Sequence, residues 1–360
     1  MQKFNLSSTD WLLFIPIAVL LIFSLVTLFT INHDLFRSQL IFLFFSSLVF
    51  LFFSQFNFST LRVYSIPIYL VSLFLFIFVL IVGIETRGTV RWLEFFGFRI
   101  QFSEILKPFL ALSLTSYLTS VTNYSFKSFM LCLLFLLPIA FLIFLQPDLG
   151  NAIIYFLATI FIMFTFGFPL RYFLASLLLM VASFPIFWKF LREYQKQRLL
   201  TFFHFNVDPL GTSYNAIQSI IAVGSGMITG RGFGQGTQST LRFLPERHTD
   251  FIFATLSEEL GFIGSLVILA AFGFLFYRIY LIYKNSDSSF SKVFSQAAFF
   301  LLLVQFFMNI GMNIGIMPIV GVSLPFMSYG GSSLLSSFIF LGFLSSMSKG
   351  VDSKEVLEIK

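Results

Sequence analysis

The sequence predicts an all-α polytopic integral membrane protein, and three observations carry that prediction. Of its 360 residues 58% are apolar and only 11% are charged, against roughly 25% charged residues in a soluble domain. Its 56 phenylalanines exceed what one water-facing globule can hide. Its apolar runs approach the roughly 20 residues of a membrane-crossing helix, whereas a transmembrane barrel would show alternating segments of about ten.

Those runs place about ten spans, at 10–31, 38–56, 65–84, 102–121, 128–145, 149–167, 169–188, 251–281, 291–316 and 325–348. No small-residue cleavage site follows Phe29, so the first run reads as a retained span rather than a removed signal. The joints at Gln146-Pro-Asp-Leu-Gly150 and Gly167-Phe-Pro169 are short enough to demand tight antiparallel hairpins. The whole chain, 1–360, is expected to form a single transmembrane domain.

An even number of spans puts both termini on one face. With that face cytoplasmic, its short segments and tails hold ten Lys/Arg, against five (Arg37, Arg87, Arg91, Arg99, Lys107) in the first two outward segments. The long segment at about 189–250 adds seven more on the outside, but a loop of that length crosses regardless of its charge. The expectation is a multi-pass protein with cytoplasmic termini and a large extracytoplasmic loop between helices 7 and 8.

A formal charge of +6 does not indicate a nucleic-acid partner, because the basic residues are scattered over loops and helix ends. Phospholipid headgroups or an anionic lipid-linked substrate suit them better. The lone Cys132 sits in an apolar run and reads as a buried structural thiol.

Within the long loop, Lys189 to Phe203 reads as a helix leaving the bilayer, with one charged face and one apolar face. After Asp208-Pro-Leu-Gly211, residues Tyr214, Ile217, Ile220 and Ile221 take helical spacing. Glycines then crowd between Gly224 and Gly236 in a spacing that fits neither common nucleotide motif, and no phosphate-loop lysine follows.

The loop closes on Phe243-Leu-Pro-Glu-Arg-His-Thr-Asp250, which gathers Glu246, Arg247, His248 and Asp250 where the chain re-enters an apolar span. An enzyme of lipid-borne substrates would place its charge at such an edge. Glu246 shares a face with Asp250 if the segment is helical, or pairs with Arg247 or Arg242. His248 reads as a hydrogen-bonding support. Glu258 and Glu259 lie inside the next span, where one faces a cavity or both pack and pair with cations.

Glu104 and Lys107, three residues apart at the head of a span, share a helix face and read either as a structural pair or as the polar floor of a cavity. The short segment from Glu85 to Ser103 carries Arg87, Arg91, Trp92, Glu94 and Arg99. Trp92 suits an interfacial anchor, and the guanidiniums suit phosphate oxygens. Asp148 is placed to cap the sixth span or to join a site. Near the carboxyl end Gly311, Gly315, Pro318, Gly321 and Pro325 predict a re-entrant or unwound segment, with Ser328, Tyr329, Ser332 and Ser333 supplying hydrogen bonds. Helix packing at Gly330 and Gly331 is the plainer alternative.

Several of these segments together resemble the SEDS family of peptidoglycan glycosyltransferases, over nearly the whole chain. They are Gly88-Thr-Val-Arg-Trp-Leu93, Ile100-Gln-Phe-Ser-Glu-Ile-Leu-Lys107, Gln146-Pro-Asp-Leu-Gly150, Tyr214-Asn-Ala-Ile-Gln-Ser219, Phe243 through Phe251, and Pro318 through Ser333. Phe102, Met227 and Ser323 depart from the family pattern without touching an ionisable position. The resemblance implies polymerisation of lipid II into a glycan strand during cell elongation, with inversion at the donor anomeric carbon and release of undecaprenyl diphosphate. It implies a bacterial inner-membrane protein with an outward-facing site.

The same resemblance gives the essential acidic role to Asp250. Chemistry agrees: a sugar hydroxyl needs a general base, while a diphosphate leaving group needs neutralised charge rather than a second acid. Arg247 is the first candidate for the phosphate, followed by Lys107 and Arg91; Glu104, Trp92, Glu246, His248, Ser328 and Ser332 complete the expected substrate-binding set. No cofactor is required by any ligand spacing, though Mg2+ or Mn2+ at the diphosphate is chemically compatible. Implied partners are lipid II, the nascent strand, membrane lipids, a class B penicillin-binding protein transpeptidase and other elongation-complex membrane proteins. The competing readings are a septal glycosyltransferase of the same family, a lipid II flippase and a noncatalytic synthase scaffold.

Overall fold

The computed structural model describes residues 11–56, 58–86, 89–95, 98–203 and 213–355. Arg87 and the stretch from Asp208 to Gly211 lie outside the described residues.

Helices α1 (Phe14–Ile31), α2 (His33–Phe53), α3 (Phe58–Val63) and α4 (Ser65–Val82) open the chain. Asn32 divides the first two: its backbone is extended and its side chain accepts from Asp34 N, capping α2. Strands β1 (Ile84–Thr86), β2 (Thr89–Phe95) and β3 (Phe98–Gln101) then form an antiparallel meander in the order β1-β2-β3. An all-α expectation did not include this sheet. Its backbone leaves the helical bundle and must find partners elsewhere, which the pairs Trp92↔Gln101 and Glu94↔Arg99 provide; the β-branched and aromatic Thr89, Val90 and Trp92 favour the strand.

Helices α5 (Phe102–Ile105) and α6 (Lys107–Ser120) divide the fourth predicted span. Pro108 stands in the first turn of α6, where its missing amide costs least. With 14 residues, α6 rises about 21 Å, less than the roughly 30 Å hydrocarbon layer. There follow α7 (Phe126–Leu145), α8 (Leu149–Phe166), α9 (Leu170–Phe190), α10 (Glu193–Phe203), α11 (Tyr214–Ser225), α12 (Thr237–Thr240), α13 (Ile252–Asn285), α14 (Ser289–Asn313) and α15 (Gly331–Glu355). Among the described residues nine helices are long and apolar enough to cross a membrane, namely α1, α2, α4, α7, α8, α9, α13, α14 and α15.

Helix α14 lies at the centre, against α13, α8 and α6, while α15 packs on α2 and α1 on α13. Phe76, Phe129, Phe272, Phe294, Phe340 and Phe343 fill the interior. Phe44, Phe74 and Phe52 are 62%, 64% and 59% exposed, so much of the aromatic excess coats the faces that meet lipid. Cys132 is buried and unpaired in any disulfide. No residue of α9 is buried, which sets that helix apart at the edge of the bundle.

Two stretches break helical order at membrane depth. Gly261, with φ 68° and ψ −160°, interrupts α13. The freed carbonyls of Glu258 and Glu259 accept from Arg231 N (3.0 Å) and Gly232 N (2.9 Å), and the freed amides of Phe262 and Ile263 donate to Met227 O (2.8 Å) and Ile228 O (3.1 Å). The glycine-rich segment thus stitches itself across the break and satisfies these four backbone groups. A Cβ at Gly261 would stand 2.3 Å from Gly230 N, so the crossing needs glycine.

The second stretch, 314–330, contains no helix, as its prolines and glycines predict. Its carbonyls are met by side chains: Asn309 Nδ2 donates to Val322 O (2.7 Å), Gln305 Nε2 to Ser323 O (2.9 Å), Ser24 Oγ to Met327 O (2.5 Å) and Gln39 Nε2 to Ser328 O (3.4 Å).

Candidate active site

The turn from Glu246 to Asp250 precedes α13 and is shaped by Glu246, whose φ of 50° is left-handed. The Glu246 carbonyl accepts from Thr249 N (3.1 Å) and Phe251 N (3.3 Å), and Thr249 Oγ1 donates to Glu246 Oε2 (3.1 Å). Two buried asparagines one helical turn apart on α14 grip the end of this turn. Asn309 Nδ2 and Asn313 Nδ2 donate to the Asp250 carbonyl at 2.9 and 3.0 Å. Asn313 Oδ1 also accepts from Ala254 N at 3.0 Å, satisfying one of the open amides of the first turn of α13.

The Asp250 side chain meets the non-helical stretch at Gly321. A Cβ there would lie 3.4 Å from Asp250 Oδ2 and 3.9 Å from Arg198 Nη1. A carboxylate and a guanidinium therefore flank the same bare glycine, one from the turn and one from α10.

Both line a cavity of about 2150 Å³, larger than the roughly 300–1,000 Å³ of a small-molecule site. Its polar lining includes Arg91, Trp92, Arg99, Glu104, Glu246 and Ser332 with Asp250 and Arg198. Its aromatic lining comes from Phe141 and Phe144 of α7, Phe156 of α8, and Phe184 and Phe187 of α9. The meander supplies Arg91, Trp92, Arg99 and Gln101 from one short segment because pairing brings β2 and β3 side by side.

A buried chain of hydrogen bonds runs from Glu104 of this lining. Lys107 Nζ donates to Glu104 Oε2 (2.8 Å) and Gln305 Oε1 (3.0 Å), Gln305 Nε2 donates to Ser323 Oγ (3.0 Å), and Ser323 Oγ lies 2.8 Å from Ser333 Oγ. Lys107 is 1% exposed, so its charge is tolerable only through that pairing. Asp148 does cap α8, accepting from Asn151 N (3.3 Å), and also takes Gln101 Nε2 (2.7 Å), Ser103 Oγ (2.9 Å) and the Arg91 guanidinium (3.7 Å). It thereby orients Arg91, which also lies 6.0 Å from the Trp92 ring centre.

Of the residues expected from sequence, Asp250, Glu246, Arg91, Trp92, Glu104 and Ser332 reach the cavity wall. Arg247, Lys107, His248 and Ser328 stand behind it. The Arg247 guanidinium donates to the Ser239 carbonyl; burial lowers its pKa, Arg242 lowers it further and Glu259 opposes the shift. His248 sets its ring 5.6 Å from that of Tyr329 and accepts Tyr329 N on its carbonyl at 2.8 Å. Ser328 Oγ donates to Thr249 O (2.6 Å) and accepts from Leu324 N (2.7 Å), tying the turn to the unwound stretch. Ser332 Oγ accepts from Gln101 N at 2.9 Å. Sequence reasoning missed Arg198, Gln305, Asn309 and Asn313. The signal for the last three was polar side chains along one buried stripe of an apolar helix. Among the described residues no group of three or more His, Cys, Asp or Glu side chains is placed to hold a metal ion.

Fold and site together define a polytopic helical membrane protein with a large cavity lined by both charged and aromatic side chains. The FtsW/RodA/SpoVE family, described as cell cycle protein, matches residues 5–352, and the chain belongs to that family of SEDS peptidoglycan glycosyltransferases. The peptidoglycan glycosyltransferase MrdB of Escherichia coli (strain K12) is 39% identical over 282 residues, covering 78% of this chain and 76% of that protein. The probable peptidoglycan glycosyltransferase FtsW of Wigglesworthia glossinidia brevipalpis is 36% identical over 318 residues, covering 86% and 83%. Among solved structures, a chain of a peptidoglycan synthase complex that coordinates polymerization and crosslinking superposes with a TM-score of 0.84 at 28% identity, covering 96% of this chain and 99% of that one. The rod shape determining protein RodA of Thermus thermophilus superposes with a TM-score of 0.74 at 26% identity and the same coverage.

Proposed function

We propose that this chain polymerises lipid II into glycan strands for cell elongation, with Asp250 as the general base. The observation that carries the reading is the Asp250 carboxylate beside Arg198 at Gly321, in a large cavity lined by both guanidiniums and phenylalanines. A lipid diphosphate sugar needs both kinds of lining: guanidiniums for the diphosphate and aromatic side chains for the polyprenyl chain.

In the proposed step the acceptor sugar hydroxyl gives its proton to Asp250 as its oxygen bonds to the donor anomeric carbon. The bond from that carbon to the diphosphate oxygen breaks, the oxygen keeps the electron pair, and the configuration inverts. Arg91, Arg99 and Arg198 line the cavity and would offset the charge of the departing diphosphate; planar guanidiniums suit phosphate oxygens better than a point charge does. Glu104 is held by Lys107 and serves the floor. Arg247 and His248 hold the turn from behind, and Mg2+ or Mn2+ at the diphosphate is chemically compatible with these roles.

The elongation role is favoured by likeness to MrdB and RodA. The synthase-complex match supports a class B penicillin-binding protein as partner, whose transpeptidase would cross-link the strands. Counted with α5–α6 as a further span, the nine long helices of the described residues make ten, an even number that puts both termini on the cytoplasmic face of a bacterial inner membrane and turns the cavity outward, where lipid II and the growing strand are presented.

The test is glycan polymerisation from labelled lipid II by purified protein with and without the class B partner, wild type beside Asp250→Asn. Product from the wild type and none from a folded Asn variant supports the reading. Equal product from both sinks the role of Asp250; none from either, with active substrate and intact partner binding, shifts the reading to transport or scaffolding.

A further inference from the structure

We infer that Glu258, two helical turns into α13 and absent from the cavity wall, is a positioning residue for Asp250 that acts through α12 and Arg247. The inference rests on the polymerase reading above. Glu258 is completely buried, and a charge there needs a reason.

Its contacts all lead to one place. Oε1 accepts from Gln238 N (2.8 Å) and Thr237 Oγ1 (3.3 Å), and Oε2 accepts from Ser239 N (2.9 Å). These donors form the first turn of α12, so the carboxylate closes open amides that no side chain within α12 reaches. Gly236 makes room for it, since a Cβ there would stand 2.5 Å from Oε2.

The same short helix then holds the turn that bears Asp250. The carbonyl of Ser239 accepts the Arg247 guanidinium, Leu244 N donates to Gln238 O (3.1 Å), and the Arg247 carbonyl accepts from Thr255 Oγ1 (3.1 Å). Arg247 is thus clamped from both its side chain and its backbone, three residues before Asp250. Glu258 sets α12, α12 sets Arg247, and Arg247 sets the approach of the base to Gly321. The adjacent Glu259 is bonded elsewhere. Its Oε1 accepts from Gly234 N (2.9 Å) and Thr30 Oγ1 (3.4 Å), fastening the preceding loop to α1.

This relay predicts a particular kinetic signature. Glu258→Ala should lower kcat by about 10–100-fold, the range expected for an ångström-scale displacement of a catalytic group, with KM for lipid II within about twofold because the residue touches no substrate. Glu258→Gln keeps an oxygen for one of the two amides and should recover most of that loss. Arg247→Ala should show the same kcat-weighted loss, and the double variant should lose no more than the worse single one, since both break one path.

A second readout needs no turnover. Asp250→Cys, labelled with a water-soluble maleimide, should change its labelling rate severalfold when Glu258→Ala or Arg247→Ala is added, and much less with Glu258→Gln. Independent, multiplying losses in the cycle, a loss in KM alone, or unchanged labelling would each overturn the relay. Where Glu258→Ala does not fold, Glu258→Gln with Arg247→Ala carries both measurements. A wild type that makes no glycan defeats the polymerase reading, while the labelling result still decides the relay.

Discussion

The side-chain amide of Asn313 donates to the carbonyl oxygen of Asp250 at 3.0 Å, and its oxygen accepts from Ala254 N at the same distance. One residue of the central helix α14 therefore holds the peptide of the proposed base and also caps the helix that follows it. Catalytic geometry and membrane packing share this link, so changes to it should move both.

Asn313→Ala leaves Ala254 N without its side-chain acceptor and should cost about 1–2 kcal/mol of stability. Asn309 still reaches the same carbonyl, so Asn309→Ala combined with Asn313→Ala should cost more than the two single losses together. Thermal unfolding in detergent measures the first effect and polymerisation rate the second.

Gly321→Ala should lower turnover while sparing the fold. The residue has φ 72°, a conformation costing an alanine roughly 1–2 kcal/mol, and its new Cβ would sit 3.4 Å from Asp250 Oδ2. A variant that melts within a few degrees of wild type yet polymerises normally would show that the glycine is not needed for access to the base.

Lys107→Met strands a carboxylate that now has a buried ammonium 2.8 Å away. Breaking one side of such a pair costs about 3–5 kcal/mol, while replacing both sides with apolar groups costs far less. Glu104→Leu with Lys107→Met should therefore recover folded yield over Lys107→Met alone, but not activity, because Glu104 lines the cavity. Yield of monodisperse protein and glycan synthesis, compared across the wild type and the two variants, check both parts.

Arg198→Ala should weaken inhibition by inorganic pyrophosphate about 10-fold or more, the usual scale for one charge-assisted hydrogen bond. Arg198→Lys should recover part of it, since the charge stays but the two-pronged geometry is lost. Unchanged inhibition across all three proteins would remove Arg198 from the diphosphate site.

Much of this was legible in the chain because it is local. Run lengths of apolar residues identify membrane helices, and the structure keeps nine among the described residues. By length alone the run at 102–121 reads as one unbroken helix, because length does not register Pro108 or a buried Lys107; the structure divides it into α5 and α6. The sheet at 84–101 was hidden for the opposite reason: its strands are short, and an interfacial cluster of arginines and tryptophan needs no sheet to exist. The unwound stretch at 314–330 was readable, since proline and left-handed glycine positions are themselves local constraints.

The medium, the helices suited to it and the turn that presents Asp250 are all written along the chain, because hydrophobicity and close spacing can be read without knowledge of distant neighbours. Which cation stands with that acid is settled only once the helices pack. Arg247 is close to Asp250 along the chain, but its guanidinium is drawn back to Ser239. Arg198 arrives from α10 to share Gly321 with the carboxylate. A side chain's direction follows from the backbone turn that carries it and the acceptors within its reach, and those acceptors come from segments that only packing brings together.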